Sequence, residues 1–283
     1  MGEPTESDRL AGSGEALKRA AEANTDEELA AEASAEADAR TEVTRDGEST
    51  AGEWIERYGP PNEAGLPREA GPVEAGPDAG ETIGGLIVDW GGVMTTNVFG
   101  SFSAFCEAEG LDPATLAKVF RGDPAARELL IGFEEGRVEE AIFEAKLGGV
   151  LGLASPAGLI DRLFAGTTLE ESMVAAVRAA REAGIATGLI SNSWGTTRYP
   201  RELLDELFDG VVISGEVGIR KPAPRIYELG VQAIALEPAE CVFVDDLPFN
   251  LPPATELGMA TVHHTAADTT IAELEGLLGI ALG

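Results

Sequence analysis

The sequence predicts an α/β fold: a parallel sheet flanked by helices, with a small all-helical insertion after the first strand. Three observations carry that expectation. Short apolar, β-branched runs such as Leu86-Ile87-Val88 and Cys241-Val242-Phe243-Val244 end abruptly in carboxylates, as strands buried on both faces do. Downstream of residue 170 such runs alternate with amphipathic helical patterns, the signature of right-handed βαβ crossovers. Between residues 99 and 169 every apolar period is helical.

The chain has 283 residues, enough for one medium core plus an insertion. Fifty acidic against 20 basic residues give a net charge of −30, a field that repels nucleic acid and anionic lipid and excludes both as partners. The two cysteines, Cys106 and Cys241, lack metal-ligand spacing and read as buried, unbridged thiols. No apolar signal core opens the chain, and no run reaches the ~18 apolar residues of a membrane span. The expected compartment is the cytoplasm.

Residues 1–80 differ in kind. They hold 20 Asp and Glu, few large apolar residues, and a Pro/Gly-rich stretch from Gly59 to Gly80. Such a segment buries too little apolar surface to offset its ordering entropy, so a disordered acidic tail is expected. Trp54, Ile55 and Tyr58 sit there at helical spacing. A docking motif for a protein partner and a solvated tail with incidental aromatics both remain open.

Residues 81–98 and 170–283 read as the core, and 99–169 as the insertion. The first strand ends at Asp89, and Gly91-Gly92 permit a tight turn and close approach of backbone to a ligand. The insertion reads as short helices around Phe102–Leu111, Ala114–Phe120, Ala125–Phe133, Val138–Leu147 and Leu159–Phe164, broken at Gly110, Gly122, Gly136 and Gly148-Gly149. A helix over Glu170–Ala183 stops at Gly184. Strands follow at Ile185–Ile190, Val211–Ile213, Cys241–Val244 and Met259–Val262. Helices cover Arg201–Phe208 and Ala223–Leu229, Pro224 being tolerated in a first turn.

In an open parallel sheet ligands bind beyond the carboxyl ends of the strands. In chain order those ends offer Asp89, Ser191-Asn192, Lys221 and Asp245-Asp246. Three carboxylates at one edge repel one another unless a cation neutralises them, and all-oxygen donors shared with a phosphate favour Mg²⁺. A carboxylate can attack phosphorus, a hydroxyl and an amide can bind phosphoryl oxygens, and a lysine can spread transition-state charge. The set suits a small phosphorylated substrate. Trp194 and Arg198 are candidates to line the pocket, and Arg121, Arg137 and Lys146, among the cations of the insertion, are candidates to meet a second anionic group. His263-His264 have no spaced partner and are given no metal.

These four elements, in this order, resemble the haloacid dehalogenase (HAD) superfamily over roughly residues 83–265. The likeness is closest to its phosphatase-type members with a D-x-G-G-V first motif, the epoxide-hydrolase N-terminal-domain-like group. Val217-Gly218-Ile219-Arg220-Lys221-Pro222 and Val242-Phe243-Val244-Asp245-Asp246, with Asn250 four residues on, are its most specific pieces. The resemblance implies a Rossmann-like core and a helical cap. It makes Asp89 the nucleophile, Ser191 the second motif, Lys221 the third, and Asp245 with Asp246 the fourth. Mg²⁺ would be held by Asp89, the Gly91 carbonyl, Asp245 and Asp246. The family's acid/base aspartate, two residues after the nucleophile, is here Gly91. The expected activity is Mg²⁺-dependent phosphohydrolysis through an aspartyl-phosphate. The alternatives are a catalytically weak binding or regulatory protein and a 2-haloacid dehalogenase-type hydrolase.

Overall fold

The computed structural model describes residues 83–283; the acidic segment and its Trp54–Tyr58 cluster lie outside the described residues. Five strands, β1 (Gly85–Val88), β2 (Ala186–Ser191), β3 (Gly210–Ile213), β4 (Cys241–Asp245) and β5 (Ala260–His263), form one parallel sheet in the order β3-β2-β1-β4-β5. The central strand β1 pairs Val88 with Leu189 of β2 and with Val244 of β4. One further bond, Asp89 N to the Val244 carbonyl (2.9 Å), carries the β1–β4 pairing into the carboxylate. Each strand ends within a residue or two of its expected position, because each apolar run stops where the chain leaves the core.

All four residues of β1 are buried, and alternate side chains serve opposite layers. Leu86 and Val88 join a cluster with Met173, Val174 and Val177 of α6 (Glu171–Glu182), Leu204 and Leu207 of α7 (Arg201–Leu207), and Leu274 and Leu278 of α11 (Ala267–Leu278). Ile87 joins Ile226, Tyr227 and Val231 of α9 (Pro224–Ala233) and Ala254 of α10 (Leu251–Glu256) on the other face. Helices α8 (Ser214–Val217), α10 and α11 lie beyond those the sequence pattern marked. In α10 two prolines mimic a breaker but occupy the first turn, where the missing N–H costs nothing.

The insertion holds five helices, α1 (Val98–Ala108), α2 (Thr115–Gly122), α3 (Pro124–Glu134), α4 (Glu140–Leu151) and α5 (Leu159–Leu163). Asn97 caps α1 through bonds from Phe99 N and Gly100 N, and Asp123 caps α3 through Ala125 N. The two linkers run side by side: Thr95 bridges Leu169, Thr96 N donates to the Thr168 carbonyl (2.8 Å), and Glu170 N donates to that of Met94 (2.9 Å). One expectation fails. Gly148-Gly149 do not break a helix but lie within α4, which ends at Gly152 in the left-handed region. Packing explains Gly148: an added Cβ would come within 2.6 Å of Pro156 Cβ.

Candidate active site

The site is built where β1 and β4 end side by side. One carboxylate oxygen from each of Asp89, Asp245 and Asp246 lies within 4.8 Å of the other two. Lys221 is fully buried beneath them. Its Nζ lies 2.8 Å from Asp89 Oδ1 and 2.6 Å from Asp245 Oδ2, and donates to the Ile190 carbonyl at 3.0 Å. An ammonium has three donors, and all three are engaged. The lysine therefore works here as a fixed positive charge that clamps two strand ends to β2. The direct phosphoryl contact expected from sequence would require one of these bonds to break.

Asp245 is oriented from every side. Besides Lys221, Leu247 N donates to its Oδ1 (2.8 Å), and Asn250 Nδ2 donates to both oxygens (3.0 and 3.1 Å). Asn250 is in turn held by Tyr227, whose phenol donates to its carbonyl at 2.7 Å. Asp89 Oδ1 also accepts from Trp90 N (2.6 Å), so one oxygen carries the local bonds and Oδ2 carries none of them.

The two glycines of the first turn differ. Gly92 has φ +79°, and an added Cβ would come within 2.7 Å of Asp246 Cγ, so only glycine leaves room for that carboxylate. Thr95 Oγ1 steadies the turn by accepting from Gly92 N (3.1 Å). Gly91 is outside the left-handed region, and its added Cβ would meet only Val98 Cγ1, at an ordinary 3.7 Å. Neither backbone nor packing demands glycine at 91.

The electrostatics ask for a cation. Burial, joined by the repulsion of Asp245, pushes the Asp89 carboxyl up to about 7 against the pull of Lys221. Burial and the charges of Asp89 and Asp245 push Asp246 up to about 8. Burial opposes charge on Lys221, but Asp245 and Asp89 outweigh it and hold the lysine above its usual range. Three oxygen donors facing one ammonium fit a hard divalent ion.

Ser191 ends β2, buried, with its Oγ 2.8 Å from Tyr199 Oη. The Asn192 carboxamide, expected on a phosphoryl oxygen, clasps the backbone of Lys221: Oδ1 accepts from Lys221 N (2.8 Å) and Nδ2 donates to its carbonyl (3.0 Å), which leaves the second Nδ2 hydrogen for another acceptor. Trp194 enters the aromatic core of the insertion, against Phe102, Phe120, Phe143 and Phe164. Arg198 is spent on Glu140 and Asp161 of the insertion, and Arg137 on Glu128 and Glu135. Lys146 is exposed.

Sequence reasoning missed three residues. Tyr199 is one. The others are the buried Glu134 and the half-buried Arg220, whose ion pair (2.5 Å) joins α3 to the segment before Lys221. Burial raises the Glu134 carboxyl despite Arg220. Its carbonyl also accepts from Ser214 Oγ, which accepts from Ser193 N (2.8 Å). Only the proximity of Arg220 to the Lys221 motif hinted at any of this.

Residues 83–258 match the haloacid dehalogenase-like hydrolases. The chain belongs to that family. Among curated relatives, acyl-CoA dehydrogenase family member 10 of Mus musculus is 30% identical over 230 residues, 77% of this chain and 21% of that protein. Bifunctional epoxide hydrolase 2 of Sus scrofa is 33% identical over 131 residues, 44% of this chain and 24% of that one. This chain thus spans about a fifth to a quarter of those proteins. Sesquiterpene phosphatase astK of Aspergillus oryzae is 32% identical over 154 residues, 52% of this chain and 78% of its own. A HAD family enzyme of Bacteroides thetaiotaomicron, solved as a magnesium complex, shares the fold with a TM-score of 0.51 at 20% identity, over 66% of this chain and 95% of that one. Among the described residues no helix is long and apolar enough to cross a membrane.

Proposed function

We propose that this HAD-like hydrolase is a Mg²⁺-dependent phosphohydrolase of a small phosphorylated metabolite, working through an aspartyl-phosphate on Asp89. The observation that carries the reading is the meeting of Asp89, Asp245 and Asp246 over the buried Lys221. Two buried carboxylates and a half-buried third over one ammonium are costly to assemble for structure alone. The phosphatase among the relatives points the same way.

Asp89 is the nucleophile. Its Oδ1 is tied to Trp90 N and Lys221, which leaves Oδ2 to attack phosphorus in line with the leaving oxygen. The P–O bond to the leaving group breaks as the Asp89–phosphorus bond forms, and water then cleaves the acyl phosphate to free Asp89 and release phosphate. Magnesium, held by Asp89, Asp245 or Asp246 and the Gly91 carbonyl, would neutralise the carboxylates and the phosphoryl oxygens. Lys221 keeps Asp89 and Asp245 in register, and Asn192 fixes the Lys221 backbone. The helical insertion acts as the cap that excludes water and selects the substrate.

Gly91 offers no side chain to protonate a leaving group, and such an acid contributes about 10²–10⁴ in rate. The reading therefore favours good leaving groups: aryl, acyl or anomeric phosphates. The same glycine supports a second reading, a protein that binds a phosphorylated ligand without turnover. The deciding experiment measures phosphate release from aryl and alkyl esters by wild type and Asp89→Asn, in Mg²⁺ and in chelator. Mg²⁺-dependent release lost in Asp89→Asn supports the hydrolase. Equal, near-zero rates with retained phosphate binding point to the binder, and halide release from a haloacid in chelator points to dehalogenase chemistry.

A further inference from the structure

We propose that Tyr199 is a positioning residue for phosphoryl recognition and acts through Ser191; the proposal rests on the phosphohydrolase reading above. Tyr199 lies in the loop before α7, outside every motif the sequence offers, yet its Oη is 2.8 Å from Ser191 Oγ and both side chains are buried. Its ring is wedged between Trp90, the residue directly after Asp89 (centroids 5.9 Å apart), and the guanidinium of Arg201 (5.8 Å from the ring centroid). Arg201 is itself anchored by the Thr196 carbonyl at 2.9 Å and by Glu216. The phenol is thus held at Ser191 by contacts that also touch the first motif.

Each hydroxyl carries one proton, so the direction of the bond between them decides what Ser191 can offer. With Ser191 donating to Tyr199, the serine presents only lone pairs to an arriving anion. With Tyr199 donating, the serine proton is free. A phosphoryl oxygen can only accept, so its arrival selects the second arrangement: Tyr199 O–H to Ser191 Oγ, and Ser191 O–H to the phosphoryl oxygen. Bonds in such a chain polarise one another, which makes Ser191 a better donor than an isolated serine. Burial holds the phenol well above its ordinary pKa, so the proton stays on Tyr199. No covalent step is involved.

The test is a double-substitution cycle of Tyr199→Phe and Ser191→Ala, read by calorimetric titration with inorganic phosphate in Mg²⁺ and by kcat and KM on an aryl phosphate. Tyr199→Phe removes one oxygen and keeps the ring. It is expected to weaken phosphate binding about 3- to 10-fold, the range of one neutral hydrogen bond, with the melting temperature of the metal-free protein nearly unchanged. Ser191→Ala is expected to cost at least as much, and the double variant no more than Ser191→Ala alone. If the Phe variant does not fold, Tyr199→Met, apolar and without a donor, takes its place in the cycle. Phosphate affinity unchanged in Tyr199→Phe, or losses that multiply in the double variant, overturns the proposal while the phosphohydrolase reading stands. A wild type that neither binds phosphate nor outpaces Asp89→Asn overturns that reading, and this one with it.

Discussion

Replacing Gly91 by aspartate is expected to restore leaving-group protonation, and the structure says why the substitution is feasible. Gly91 is not in the left-handed region, and its added Cβ would meet only Val98 Cγ1 at 3.7 Å, so neither backbone strain nor a clash at Cβ opposes it. The cost is electrostatic. A fourth carboxylate adds repulsion from its neighbours, on the order of 2 kcal/mol for a pair about 7 Å apart at an effective dielectric of ~20. Magnesium offsets that repulsion in the loaded protein, while in its absence the new carboxyl is pushed upward in pKa, as an acid requires. At saturating Mg²⁺, kcat/KM for an alkyl phosphate should rise about 10²- to 10⁴-fold, with far less gain for an aryl phosphate whose leaving group needs no proton. Gly92→Ala is the contrast. Its φ of +79° costs about 1–2 kcal/mol for a residue with a Cβ, and that Cβ would displace Asp246, so the Mg²⁺ concentration needed for half-maximal rate should rise. Equal gains on both esters in Gly91→Asp, or Gly92→Ala with wild-type Mg²⁺ dependence, would refute the assignment of roles in this turn.

Three further outcomes follow from the same contacts. Lys221→Met leaves Asp89 and Asp245 buried without their counter-charge and should destabilise the protein by about 3–5 kcal/mol; a urea midpoint close to wild type would show that the clamp is not needed. Asp89 and Asp246 have folded pKa values near 7 and 8, above the ordinary carboxylate value they take when unfolded. Their contribution is therefore full at acid pH and lost as pH rises through 7 and 8. In chelator the melting temperature should fall between pH 6 and 8.5, and saturating Mg²⁺ should flatten the slope; a melting temperature that rises over that range contradicts the reading. Trp194→Ala removes the ring on which four phenylalanines of the insertion converge and should cost about 3 kcal/mol. Hydrogen exchange should accelerate first in α1, α2, α4 and α5, and uniform acceleration across the sheet would argue against that local role.

The carboxylates were legible in the sequence because a parallel sheet converts local pattern into position. An apolar run that stops at Asp89 and another that stops at Asp245 must, if adjacent, deliver both side chains to one edge, and the β1–β4 register does so. Partners of those side chains are another matter. That Lys221 would spend all three donors, or that Asn192 would hold the Lys221 backbone, depends on how two loops after different strands meet, and no spacing along the chain encodes that meeting. The same holds for Tyr199, a lone aromatic eight residues past Ser191, and for Gly148, whose role is set by Pro156 across a turn. The two glycines after Asp89 make the distinction sharpest. In sequence Gly91 and Gly92 look alike, and both read as freedom for a turn. In the fold one is demanded by its positive φ and by the carboxylate packed over it, while the other has room to spare. Since neither a positive φ nor a Cβ clash keeps Gly91 a glycine, its replacement can be read out in the chemistry of the site.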